Sequence, residues 1–277
     1  MRIVKPLAAV LLGTLALAAA ERPPATVQTV IRAARDSASS ANTSGGVTQY
    51  LVALPQLAYG AGWQTQFVVA NTGSAAAEVT LYYFDDNGNP LNVPFSGVSS
   101  TSTTLTIPAN GMQIIEPDWQ TSANTDGWAA VVYTATGIKV QGVFLWTNPG
   151  PPVVYSQGAV PIIDQSGAEC VIPLPGSITY TLPFDETGTN FSGYGFANTT
   201  DSPVTMTLTF YDPNGNTLGT YSQQLAAFAH TSFLLSSTSL NLPQLAGKMG
   251  TMALSGQGVV QMGFRFTPNF AFTTWQP

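Results

Sequence analysis

Few residues in this chain have the chemistry to react. One histidine, His230, and one cysteine, Cys170, occur in 277 residues. A Ser–His–Asp or Cys–His nucleophile needs a histidine as its base, so any such site must include His230. No Gly-x-Ser-x-Gly elbow accompanies it, and three histidines for a catalytic zinc do not exist. His230-Thr-Ser-Phe-Leu-Leu reads as the start of a strand, which predicts a surface or strand-end ring. Two carboxylate pairs remain, Asp85-Asp86 and Asp185-Glu186. Glycoside hydrolysis needs two acids facing each other across a sugar, whereas sequential acids in a turn diverge. No catalytic residue is assigned on these grounds, and the chain is not expected to be an enzyme.

Asp85-Asp86-Asn87-Gly88-Asn89 and Asp212-Pro213-Asn214-Gly215-Asn216 place oxygens at alternate positions around a glycine. That is the pattern of a calcium loop, with Asp85, Asn87, Asn89, Asp212, Asn214 and Asn216 as ligands. An EF-hand-type loop also needs an acid about six residues beyond the glycine. Neither 91–94 nor 218–221 offers one. Asn-Gly between alternating strands predicts instead a type I′ hairpin turn, with φ > 0 at both central residues. No cofactor is expected, and calcium is the alternative at these turns. Among the aromatics, Trp119 lies in the polar loop Glu116-Pro-Asp-Trp-Gln-Thr-Ser and is the ring expected to be exposed for stacking on a sugar face.

These motifs sit in a duplication. Residues 70–91 and 197–218 share Ala-Asn-Thr, an aromatic-Asp step and Asn-Gly-Asn at an offset of 127. Leu54-Pro55 matches Leu182-Pro183, and Trp63 matches Phe191, at 128. Ile107–Ile115 match Leu225–Phe233 at 118, so the second copy has lost about nine residues before this point. Val140-Gln141 and Phe144 match Val260-Gln261 and Phe264 at 120, and Trp146 matches Phe266. The matched Trp/Phe positions read as shared core. A group present in one copy alone is a poor candidate for a shared active site, and His230 faces Met112 in this alignment. Leu57-Ala58 likewise stands where the second copy has Asp185-Glu186.

Strands must position these groups. Val204, Met206, Leu208 and Phe210 alternate with Thr205, Thr207, Thr209 and Tyr211, the period-two pattern of a half-buried antiparallel strand. Val79, Leu81 and Tyr83 repeat it in the first copy. No 3.6-residue period runs to helical length, and twenty prolines and twenty-six glycines punctuate the chain. The fold class is therefore all-β, as two tandem immunoglobulin-like β-sandwich domains. Their bounds are 49–163 and 169–277.

The N-terminus has a different role. Arg2 and Lys5, the apolar run Leu7–Leu17 and Ala18-Ala19-Ala20 form a signal peptide over 1–20. The apolar run is too short for a membrane span, so no transmembrane segment is expected in the mature chain. Residues 21–48 read as a flexible leader. Export permits disulfides, but one cysteine cannot form an intrachain bridge, and Cys170 reads as a small buried apolar residue. From residue 49 onward three basic residues face twelve acidic ones, a formal balance of −9. Such a surface repels phosphate backbones, which excludes nucleic acid as a partner. Charged residues are 8% of the chain, so Thr, Ser, Asn, Gln and Gly must cover the surface.

Leu-Pro, Ala-Asn-Thr, Phe/Tyr-Asp-x-Asn-Gly-Asn-x-Leu and the step Ile107-Pro-Ala-Asn-Gly111 resemble tandem immunoglobulin-like repeat proteins of an uncharacterised secreted bacterial family. Leu225-Ala-Ala-Phe-Ala229 departs from that step. The resemblance implies a fold and no activity. The expected function is a secreted, non-catalytic structural or adhesion protein, extracellular or on the cell surface, with the periplasm as an alternative compartment. Its partner would be a polysaccharide or another surface protein. One alternative is a carbohydrate-binding module. Another is a self-assembling fibre subunit in which Thr26–Ile31 adds to a neighbour's sheet edge. Specific binding is expected in the loops where the copies differ, foremost 94–104 and 116–126.

Overall fold

A computed structural model describes residues 50–118, 124–147, 154–160, 180–267 and 272–275. The signal peptide, the leader with its Thr26–Ile31 strand, Trp119 and Cys170 lie outside the described residues. Within them the chain forms β-strands and two short 3₁₀ turns, Thr238–Leu240 and Pro243–Leu245, and no α-helix. The all-β expectation holds.

The first half contains β1 (Tyr50–Tyr59), β2 (Trp63–Asn71), β3 (Ala77–Phe84), β4 (Val93–Phe95), β5 (Val98–Ser100), β6 (Ser102–Ile107), β7 (Met112–Ile115), β8 (Thr125–Tyr133), β9 (Ile138–Thr147) and β10 (Val154–Val160). The second contains β11 (Tyr180–Asp185), β12 (Phe191–Asn198), β13 (Val204–Tyr211), β14 (Thr217–Leu225), β15 (His230–Leu234), β16 (Met249–Ser255), β17 (Val259–Phe266) and β18 (Phe272–Trp275). Four antiparallel four-stranded sheets result, ordered β1-β8-β3-β6, β10-β9-β2-β7, β11-β16-β13-β14 and β15-β12-β17-β18. None mixes strands from the two halves. The second pair of sheets repeats the first strand for strand, with β18-β17-β12-β15 matching β10-β9-β2-β7. The small β4–β5 hairpin has no counterpart and accounts for the residues missing from the second copy.

The repeated Ala-Asn-Thr is a structural clamp. Asn71 and Asn198 are buried, and each Nδ2 donates to carbonyls of the loops flanking the sheet: Ala75, Ile107 and Pro108 in one copy, Ser202 and Ala226 in the other. Thr72 and Thr199 donate to the carbonyls of Gly137 and Gly258. Buried polar side chains must find such partners, which explains why this tripeptide kept its spelling in both copies.

Backbone pairing corrects part of the sequence alignment. Asn71 pairs with Ile138 and Asn198 with Val259, so β9 and β17 match at 121 and not at 120. A one-residue slip exchanges the two faces of a strand. Gln261 thus stands where the first copy has Val140, in the interior, while Gln141 is exposed. Phe264 and Phe266 match Val143 and Leu145, and Phe191 matches Gln64. The reading of Trp63/Phe191 and Trp146/Phe266 as shared core positions is therefore wrong. The pairs Trp63–Trp146 and Phe191–Phe266 are each cross-strand neighbours, but they lie on opposite faces of equivalent sheets.

That face is where the halves differ most. β3 and β13 alternate between buried and exposed positions, as strands with one wet face do. β12 and β17 are buried almost throughout, and so is β8 from Gly127 onward. Val260, Met262, Phe264, Phe266 and Ala197 form one apolar cluster with Leu51–Leu54, Trp128–Tyr133 and Phe144 of the first half. Tyr194, Phe196 and Val259, on the other face, join a separate cluster inside the second half. The first copy presents Gln66, Lys139, Gln141 and exposed Met112 and Ile114 on the equivalent face. Polar residues keep that sheet in water, and apolar replacements in the second copy weld the halves together.

Candidate functional site at the junction of the repeats

His230, Asp86, Gln56 and Asp126 converge on this junction. Gln56 is delivered by a β-bulge: Leu54 pairs with Ala129 and Leu57 with Gly127, leaving two residues opposite one. β11 has no such bulge. Bulges re-aim side chains, and this one sends the Gln56 amide across the junction. His230, at the first position of β15, meets it there, its Nε2 2.8 Å from Gln56 Oε1. Nδ1 lies 2.7 Å from Asp86 Oδ1, and the His230 N–H donates to the Asp86 carbonyl. Gln56 Nε2 reaches Asp126 Oδ1 at 3.5 Å, and Asn124 Nδ2 donates to the same oxygen at 2.7 Å. Burial pushes the Asp126 carboxyl up to about 6, against the opposing pull of His230.

The strand-start placement of His230 holds, but the surface expectation does not. Its side chain is 0% exposed because the first half covers it, whereas Asp86 is 51% exposed. Among the described residues the ring nitrogens are met by Asp86 and Gln56, so the imidazole braces the two repeats.

The Asp85–Asn89 turn adjoins this brace through Asp86, whereas residues 213–216 of the second turn are exposed. Asp85 Oδ1 accepts the N–H groups of Asn87 and Asn89, and Asp212 Oδ1 accepts those of Asn214 and Asn216. Only Gly88 (φ 81°) and Gly215 (φ 83°) have positive φ in them, so each is a type I turn closed by a left-handed glycine. The type I′ expectation fails here because the Asp side chain holds the first central residues in right-handed geometry. Ser96 (φ 52°) and Gly97 (φ 80°), between β4 and β5, have positive φ at both central positions. Asp118 fastens that tip through the N–H groups of Ser96 and Gly97, which joins the two loops singled out in the sequence. Of the candidate calcium ligands, Asp85 and Asp212 thus use a carboxylate oxygen to form their turns, and Asn87, Asn89, Asn214 and Asn216 supply the N–H groups. Among the described residues no three His, Cys, Asp or Glu side chains group as metal ligands.

Phe228 explains the departure at 225–229. Its counterpart Asn110 is left-handed (φ 53°), and Phe228 keeps that conformation (φ 57°). Asparagine tolerates it, but a bulky aromatic is an outlier there. The compensation is contact with the first half. Phe228 stacks on Phe84, which stacks on Trp128, and the Trp128 indole N–H donates to the Phe228 carbonyl at 2.7 Å.

Asp185 and Glu186 lie apart from this junction and serve separate partners. The β8 and β16 registers match Gly127 to Gly250, so the first-copy counterparts of these acids are Ala58 and Tyr59, not Leu57-Ala58. Partial burial works against the Asp185 charge. Thr187 and Arg265 outweigh it and hold the carboxyl below its ordinary range. Glu186 accepts the Ser192 N–H, and burial pushes it up to about 7. It borders a cavity of about 310 Å³ with Ser237, Thr238, Asn241, Leu242 and Leu245.

Sequence comparison could not find the brace, because Asp86 and Gln56 stand 144 and 174 residues from His230. The bulge at Pro55-Gln56 was its only local signal. No helix of the described residues is long and apolar enough to cross a membrane. No protein-family model and no curated protein matches the chain. Among solved structures, a "putative secreted protein" of Parabacteroides distasonis covers 79% of this chain and 78% of its own at 10% identity. Its TM-score of 0.21 carries no argument about fold or function.

Proposed function

We propose that the chain is an exported, non-catalytic structural or adhesion protein, extracellular or on the cell surface, built from two immunoglobulin-like repeats. The observation that supports this best is the use made of His230. The one histidine on which acid–base catalysis could turn is sealed between the repeats as a brace. The second copy's sheet face has become apolar to fit the first. The residues that distinguish the copies thus serve rigid association, and a rigid pair of sandwiches with wet threonine faces is a spacer that presents loops. Export rests on the signal-like N-terminus. Fractionation of cells producing the full chain tests the reading. The expected product is a chain shortened by about twenty residues, outside the cytoplasm and open to surface shaving. A full-length chain confined to the cytoplasm contradicts it.

A further inference from the structure

A cavity of about 50 Å³ opens at the junction beside the brace. Its lining includes the aromatic residues Trp63, Phe144 and Phe264 and the polar residues Asn124 and Asp126. Asn124 Oδ1 is buried without a hydrogen-bond partner. Its amide cannot turn round to relieve this, because Nδ2 is donated to Asp126 and a flip would set oxygen against carboxylate. Asp126 takes its hydrogen bonds from Asn124 and Gln56 on Oδ1. One buried acceptor without a donor, Asn124 Oδ1, therefore stands beside a carboxylate that lines the same cavity. A buried acceptor left in that state is costly, so its retention asks for a donor-rich occupant.

We propose that this cavity binds the head of a primary alkylammonium ion, with N–H groups donated to Asn124 Oδ1 and Asp126 and the charge held against the aromatic faces. Three features select this class. An ammonium group carries donors and no acceptor, the complement of an amide oxygen beside a carboxylate. Aromatic faces attract cations and repel anions. The volume admits an ammonium head with a first methylene and excludes a sugar ring or a guanidinium stacked flat. The net-negative chain further favours a cation over an anion. The same chemistry arrives as a free small amine or as a lysine side chain. A cation beside Asp126 opposes the upward push of burial on its carboxyl, so occupancy and the charge on Asp126 support each other.

Thermal melting of the intact chain at pH 8 tests this, with methylammonium chloride titrated against matched sodium chloride. The expected result is a saturable rise in melting temperature with methylammonium and none with sodium. Asp126→Asn should weaken binding at least tenfold, and Asn124→Ala, which leaves the carboxylate in place, should weaken it by about the same order. Nα-acetyl-lysine N-methylamide distinguishes the sources: a matching saturable rise assigns a lysine side chain, and a response to methylammonium alone assigns a free amine. Tetramethylammonium, without N–H groups and too large for the cavity, should give no rise. Identical melting in methylammonium and sodium overturns the proposal. So does undiminished binding by both variants, or a tetramethylammonium response equal to that of methylammonium.

Discussion

Gln261 is buried in the second half with neither amide atom hydrogen-bonded. The equivalent first-copy position holds Val140, which raises no such demand. A buried polar group without a partner costs about 1–3 kcal/mol, and an apolar group of similar shape removes that cost. Gln261→Leu should therefore stabilise the chain by about 1–3 kcal/mol, read as a higher urea midpoint at unchanged slope. A lower midpoint would mean that an ordered water or neighbour satisfies the amide. Residues whose partners lie within a few positions were legible in the sequence: Asp85 and Asp212 form their turns from their own N–H neighbours. His230 was not, because nothing local to it encodes Asp86 or Gln56. Gln261 was misplaced for another reason. The slip of one residue at β9/β17 put it on the wrong face, and the attractive identity with Gln141 concealed the error.

At the scale of elements, the duplicated turn offers a controlled comparison. Gly88 and Gly215 share their conformation, so any side chain at either meets the same left-handed penalty of about 1–2 kcal/mol. Their surroundings differ. A Cβ at Gly88 would lie 2.1 Å from the Ala227 carbonyl oxygen, and one at Gly215 would meet nothing within 4 Å. Gly88→Ala should cost at least about 2 kcal/mol more than Gly215→Ala, because the clash is with backbone and not with a yielding side chain. Equal costs in chemical denaturation would show that the turn does not seat on the second half. Phe228 belongs to the same contact. Phe228→Asn relieves the left-handed strain but loses the stack on Phe84 and Trp128, and should lower stability by about 2–3 kcal/mol. Strand alternation made β3 and β13 readable. β12 and β17 lacked that signal because the second wet face is covered by the other half, and short apolar runs do not reveal what covers them.

Across the whole molecule, two raised carboxyls set the pH response. Asp126 moves from 3.8 to about 6 and Glu186 from 4.5 to about 7 on folding. The folded chain then binds more protons than the unfolded one between these values, so this stabilisation is complete below about pH 4 and is lost as pH rises through 6 and 7. Each group contributes at most about 3 kcal/mol. Asp185 and Asp212, held low, act in the opposite sense and only in stronger acid. The melting temperature should fall from pH 5 to pH 8, and Asp126→Asn should flatten the lower part of that fall. An unchanged profile in the variant would remove Asp126 from the account.

The duplication, the all-β class and most strand positions were legible because each repeat carries its own local pattern. The union of the repeats was not, since it depends on one face of one sheet meeting a partner more than a hundred residues away. That union is the central claim, and calorimetry of the intact chain tests it most directly. The shared apolar cluster and the Asp86–His230–Gln56 brace predict one cooperative transition, with calorimetric and van't Hoff enthalpies equal, shifted down as a whole by His230→Ala. Two separate transitions, with His230→Ala moving only one of them, would contradict it.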